Sequence, residues 1–345
     1  MLKNDSEKEK SLNLGIQLLR SILCIWVLFS HCANIKKEHL QYFNKNFHVP
    51  TFFVLSFYFY YPVIYKRIKT KIIARFQRLL YPYFLWPIFV FILHNLLNTF
   101  TSLGQIKEKL SFRELYLQIL TGSQYYRVFW FQFNLIFLSL CFTITSFIFK
   151  QKLLTFLEFI GIISLNFLFT NKNKKNFFHY KKHIQMSIGR VNETLPLAVI
   201  GCIYSSINFL SKFENFALPT YFFLFYLIYL LFKFELFKIF SGFSYSNTLS
   251  YILSSTIFLV LFSSFKFSKN SILKFIIRNI TKFTGGIYYI HQIFPKYIYY
   301  FFKIDKTSYF SSFIVYIICY IICFAGNKSP IFLLSRQFFL RSLRN

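Results

Sequence analysis

Arg20, His31, Arg75, Arg78 and His291 are ionisable residues set inside or at the edge of long apolar runs, and they are the positions from which chemistry can be read. Charge at membrane depth costs free energy, so each asks for a partner or a task. Arg20 and His31 share the run from Leu14 to His31; on one continuous helix, eleven residues put them about 16 Å apart along the axis, too far for a single contact. A molecule touching both would be long, or charged at one end. Arg20 also fits snorkelling to headgroups, and His31 taken alone fits a hydrogen bond to a neighbouring helix better than it fits catalysis.

A second group opens the third run, Arg75-Phe76-Gln77-Arg78-Leu79-Leu80-Tyr81-Pro82-Tyr83. Residues at i and i+3 share a helix face, and two planar guanidinium forks on one turn suit a phosphate or pyrophosphate better than two ammonium groups would. Simple anchoring at a basic membrane edge accounts for the same pair. Pro82 kinks or starts the apolar part of this helix and leaves backbone groups unpaired close by. His291, at the end of Gly285-Gly286-Ile287-Tyr288-Tyr289-Ile290-His291, fits either the cavity that His31 would face or a packed polar contact. His94 and Glu158 have no motif around them and read as structural. His179 and His183 have the i, i+4 spacing of a metal pair, but Lys181 and Lys182 lie between them and no carboxylate is near, so no metal site is expected.

The elements that must position these residues follow from composition. The 345 residues are 55% hydrophobic and 23% aromatic, with only 15% charged, which excludes a conventional soluble enzyme. Lys and Arg number 40 against 11 Asp and Glu, for a net charge of +29. The basic residues sit between apolar runs and not on one polar face, so the balance points to anionic headgroups and away from nucleic acid. The six cysteines, Cys24, Cys32, Cys141, Cys202, Cys319 and Cys323, fall almost entirely within apolar stretches and form neither a disulfide framework nor a zinc spacing. With ten glycines, no GxGxxG or P-loop is present, and no tightly bound cofactor is expected.

A spanning helix needs about 20 mostly apolar residues. Such runs occupy 14–33, 49–65, 72–97, 128–149, 153–170, 194–211, 216–240, 245–265, 276–302 and 309–325. The expectation is an all-α integral membrane protein of about ten transmembrane helices, with no alternation of the kind barrel strands require. The first run contains Arg20 and lacks a small-residue cleavage site, so it is read as a retained helix and not a signal peptide. Lys and Arg divide almost equally between alternate loops. The local cluster Lys66, Arg67, Lys69, Lys71, Arg75 and Arg78 places that side, and both termini, in the cytoplasm. The single domain spans 1–345, with a cytoplasmic 1–13 and a basic interfacial tail at 326–345 in which Phe338, Phe339 and Leu340 alternate with Arg336, Arg341 and Arg344.

Together these residues resemble the membrane-bound acyltransferase family 3, multi-span enzymes that O-acylate bacterial surface sugars. Arg20 and His31 match its Arg and His of the first span. Val49-Pro50-Thr51-Phe52-Phe53-Val54-Leu55-Ser56-Phe57 looks like its VPLFFVLSGF segment, and Arg75 with Arg78 matches its paired arginines. Val128-Phe129-Trp130-Phe131 is similar to its HLWFL element and Gly286-Ile287-Tyr288-Tyr289-Ile290-His291 to SYGIYLIH. Gln17 stands where the family usually has an acid, and Phe57 where it has Gly.

The resemblance implies an acyltransferase-3-like bundle in the inner (cytoplasmic) membrane that moves an acyl group, acetyl above all, from acyl-CoA to a hydroxyl of a cell-surface or lipid-linked carbohydrate. It makes His31 the general base, Arg20, Arg75 and Arg78 the donor-binding residues, and Ser56, Trp130 and His291 members of the surrounding cavity. The expected partners are acyl-CoA as co-substrate, a carbohydrate acceptor and the lipid bilayer. The main alternative is a transporter or flippase of lipid-linked sugars, with the intramembrane Arg and His lining a pathway. Such a protein would show symmetry between its halves, and none is visible. A many-span glycan polymerase or ligase would carry a long external loop with paired Arg, which is also missing.

Overall fold

The computed structural model describes residues 2–32, 48–100, 111–122, 129–170, 179–213, 244–263, 271–291 and 309–328. In chain order the helices are α1 (Leu2–Cys32), α2 (His48–Tyr65), α3 (Lys69–Phe100), α4 (Phe112–Thr121), α5 (Phe129–Ile148), α6 (Leu153–Thr170), α7 (His179–Ser206), α8 (Ser244–Ser263), α9 (Ser271–Lys282), α10 (Thr284–Ile290) and α11 (Tyr309–Lys328), with a short 3-10 turn at Phe209–Phe213. No strand occurs among the described residues. The run expected at 216–240 and the tail after Lys328 lie outside them.

Helix α2 is the hub. It packs most extensively on α7, and the approach is close because Gly201 has no side chain: a Cβ there would collide with the carbonyl oxygen of Val54 and lie 3.1 Å from the Cβ of Phe57. Phe57 is itself fully buried and packs on Phe142 of α5 at a ring-centroid distance of 4.9 Å. The largest core gathers Leu19 and Leu23 of α1, Phe53 and Ile64 of α2, Leu138 of α5, Leu157 of α6, Leu197 of α7 and Leu259 of α8. A second, smaller core joins Cys24 and Leu28 of α1 to Phe283, which precedes α10, to Ile287 of α10 and to Val315 and Cys319 of α11.

Local chemistry sets the connections. Between α2 and α3 the chain turns within three residues, with Arg67 at φ 52°. That left-handed backbone lets the Arg67 guanidinium donate to the carbonyls of Ser146 and Phe147, both at 2.9 Å, at the C-terminus of α5, where unpaired carbonyls favour a cation. Helix α4 starts on a capping box: Ser111 Oγ accepts from the Glu114 N–H, the Glu114 carboxylate accepts from the Ser111 N–H at 2.8 Å, and Gly122 ends the helix at φ 65°. Composition did not mark α4 as an element, since ten residues are too few to span a membrane.

The expected run 276–302 is divided within its described part, and residues 292–302 lie outside the described residues. Helix α9 begins earlier, at Ser271, and Phe283 interrupts it before α10. The pair Gly285-Gly286 weakens the helix there, and Gly286 admits α11 so closely that an added Cβ would sit 2.7 Å from Cys323 Sγ.

Several helices wear their polarity inside out. On α5, Gln132, Asn134, Ser139, Thr143 and Ser146 are buried while Phe137, Leu140, Ile144 and Ile148 are exposed. Phe84, Leu85, Ile88, Phe89, Ile92 and Leu96 make a comparable exposed stripe on α3. The segments Lys69–Leu96 and Phe129–Ile148 are long and apolar enough to cross a membrane.

Candidate functional site

A cavity of about 1200 Å³ opens between α1, α2, α3, α5 and α10. Its α3 wall runs from Thr70 to Pro82, so it begins beside the basic α2–α3 turn and reaches about 18 Å along the helix. From α1 it receives Ile16, Gln17, Arg20 and Cys24, one face of that helix, and from α10 the small residues Thr284, Gly285 and Gly286. Cys24 Sγ donates to the Thr284 carbonyl at 3.3 Å, which fixes this glycine turn to α1. The volume suits a molecule of cofactor size.

The paired arginines of α3 are both on the cavity wall, yet they are held differently. Arg75 donates from Nε to Ser139 Oγ at 3.0 Å, from Nη1 to the Ser56 carbonyl at 3.4 Å and from Nη2 to Ser56 Oγ at 2.9 Å. Its guanidinium also lies 4.0 Å from the Tyr60 ring centroid and 5.4 Å from that of Phe57. It therefore bolts α3 to α2 and α5, and the aromatic face of Phe57 occupies the place where the resemblance leads one to expect Gly. Arg78 spends one N–H, from Nε to the Ala74 carbonyl of its own helix at 3.1 Å.

Arg20 is exposed and lines the same cavity, and it has no hydrogen-bond partner among the described residues. Lys71 adds a further cation near the basic turn. The polar lining is completed by Gln17, Gln77, Gln132, Ser56 and Thr70, and it contains no carboxylate among the described residues. Guanidinium N–H groups on a cavity whose described lining holds no acid are suited in chemistry to an anion with several oxygens. No group of three His, Cys, Asp or Glu side chains able to hold a metal forms among the described residues.

An aromatic wall closes the far side. Tyr289 stacks on Trp86 at 6.4 Å and lies 6.0 Å from Phe129, and Tyr288 lies 5.7 Å from Phe131. Tyr288, Tyr289 and Phe131 line the cavity. Gln132, on α5, donates from Nε2 to the Leu79 carbonyl and so holds α5 against the Arg78 turn of α3.

Of the residues singled out in the sequence, the structure brings Arg20, Arg75, Arg78 and Ser56 onto this one cavity. His31 lies in the last turn of α1, and its side chain is outside the described residues. Trp130 and His291 are not in the lining: Trp130 packs under the Arg190 guanidinium at 4.8 Å, and the buried His291 ring pairs through Nδ1 with the Tyr288 carbonyl at 2.6 Å. Gln17, Lys71, Gln77 and Gln132 were not picked out as site residues. For Gln132 a signal existed, since an amide within the first turn or so of an apolar run is a polar group that needs a partner.

A family model described as an acyltransferase domain matches residues 13–327, and the chain belongs to the acyltransferase 3 family. It is an acyltransferase, of a family whose members are typically membrane-embedded. No curated protein and no solved structure matches the chain.

Proposed function

We propose that this protein is a multi-span enzyme of the bacterial inner membrane that transfers an acyl group, acetyl by preference, from acyl-CoA to a hydroxyl of a cell-surface or lipid-linked carbohydrate. The observation that carries the reading is the cavity onto which Arg20, Arg75 and Arg78 converge and whose lining has no acid among the described residues. Acyl-CoA fits it in kind: a polyanionic nucleotide end for the guanidinium groups, and a slender neutral arm that leaves the cationic zone. The exposed apolar stripes of α3 and α5 support the membrane setting, because such faces are stable against lipid and costly against water.

In this scheme Arg20 and Arg78 hold phosphate oxygens, and Arg75 keeps the wall in shape while adding its charge. The α1 lining ends at Cys24, and His31 lies seven residues further along the helix, about 10 Å beyond. That is a reach the donor's arm covers. His31 acts as general base: it takes the proton of the acceptor hydroxyl as the oxygen attacks the thioester carbonyl, and the proton leaves with the CoA thiolate as the tetrahedral intermediate collapses. General base catalysis by an imidazole contributes roughly 10²–10⁴ in rate. No resident cofactor takes part.

The test uses membranes holding equal amounts of the intact protein or His31→Ala, supplied with labelled acetyl-CoA and the host's surface glycan. Label should reach the glycan only with the intact protein. Equal labelling by both membranes would remove His31 as the base, and background labelling by both would direct the next experiment to transport.

A further inference from the structure

Gln132 is 1% exposed, lines the cavity, and has only half of its amide satisfied. Its Nε2 donates to the Leu79 carbonyl, whereas Oε1 is buried with no hydrogen-bond partner among the described residues. The amide cannot be turned over to cure this, because its oxygen would then face the Leu79 oxygen, acceptor against acceptor. A buried carbonyl without a donor is a lasting cost to the folded chain unless something that binds there supplies the donor.

We infer that Gln132 is a specificity-determining residue: its Oε1 accepts a hydrogen bond from a neutral N–H or O–H of the molecule bound in the cavity, next to the anion held by Arg78. The inference rests on the proposed reaction and deepens it. Leu79, whose carbonyl holds Gln132 in place, directly follows Arg78, and Phe131, Gln132 and Leu135 line the cavity opposite that turn. A ligand gripped by Arg78 through its phosphates thus has its next stretch beside Gln132. In acyl-CoA that stretch is the arm with its amide N–H groups; in a carbohydrate acceptor the same chemistry is a hydroxyl. A wholly apolar arm would leave Oε1 unpaired.

Purified full-length protein and its Gln132→Met variant, which keeps length and loses both polar atoms, are compared by direct binding of CoA and of the adenosine bisphosphate that forms CoA's nucleotide end, and by transfer kinetics. Intact protein that binds neither compound would overturn the proposed function itself. If it binds CoA, the inference expects about a tenfold weaker CoA affinity in Gln132→Met with the nucleotide fragment bound as before, the fragment reporting an intact arginine wall. Unchanged CoA affinity with a raised KM for the glycan alone also supports it and assigns the donated hydrogen to the acceptor. Equal weakening of CoA and fragment would show that Gln132 only braces the Arg78 turn, and no change in any of these would show that it reads nothing; either result overturns the inference.

Discussion

Arg75 donates hydrogen bonds to two neighbouring helices, whereas Arg78 donates one within its own, so truncating each should disturb a different property. Arg75→Ala removes a brace between α2, α3 and α5 and should lower unfolding stability in detergent by about 1–3 kcal/mol, the usual loss when a charged hydrogen-bonding group is taken from a partly buried site. Arg78→Ala should leave thermal melting near that of the parent and weaken CoA binding by about tenfold to a hundredfold, as expected for a lost charge-assisted contact to phosphate. Melting curves and CoA titrations on the two variants check this, and a reversed pattern would exchange the two assignments. The sequence shows that both residues share a helix face; it does not show that Arg75 reaches Ser56 and Ser139 while Arg78 bonds only within its own helix, because that depends on how α2 and α5 dock. Gln132 is a related case: its type was visible, but its half-satisfied amide exists only once α5 lies against α3.

At the scale of elements, the close contact of α2 and α7 places Ser56 and so sets where Arg75 points. Gly201→Ala should force these helices apart against the Val54 carbonyl and cost about 1–3 kcal/mol of stability, as overpacking does in tight interfaces, measured by thermal or chemical unfolding. A variant as stable as the parent would mean that the bundle yields without strain at this crossing. Hydropathy locates most of the helices well, since a run long enough to span is nearly all the information a lipid-facing helix needs; α2, α5 and α6 begin and end within a residue or two of their apolar runs. It fails where stability comes from elsewhere. Helix α4 rests on its capping box and on Tyr83, whose hydroxyl donates to the Ile119 carbonyl at 2.6 Å. The Ser111 and Glu114 spacing was readable, but the outward row Phe112, Tyr116 and Leu120 spans too little chain to register as an apolar run. The break at Phe283 escaped for a related reason: apolar residues continue through it, and the packing of Gly286 on α11 and the hydrogen bond from Cys24 to the Thr284 carbonyl exist only in the folded chain.

For the whole molecule, the proposed membrane setting turns on which side the cavity opens to. A net charge of +29 distributed almost evenly among the loops cannot orient the chain by its sum, so orientation rests on the cluster Lys66, Arg67, Lys69, Lys71, Arg75 and Arg78. Its first residues, Lys66 and Arg67, lie in the turn at the near end of the cavity's α3 wall, and Lys71, Arg75 and Arg78 are on the lining. On the proposed function, the location of the turn and the source of the acyl donor are therefore one question, because the proposed donor, acyl-CoA, is made in the cytoplasm. Alkaline phosphatase fused after Arg67 folds into an active enzyme only when exported, whereas a fluorescent protein at the same point fluoresces only when retained. The expected result is an inactive phosphatase fusion and a fluorescent partner fusion at matched expression. The opposite pair would turn the arginine wall outward, away from every cytoplasmic thioester. The same three guanidinium groups would then have to serve an external anion, such as the phosphate of a lipid-linked sugar, and the donor would have to reach His31 from the other end of α1.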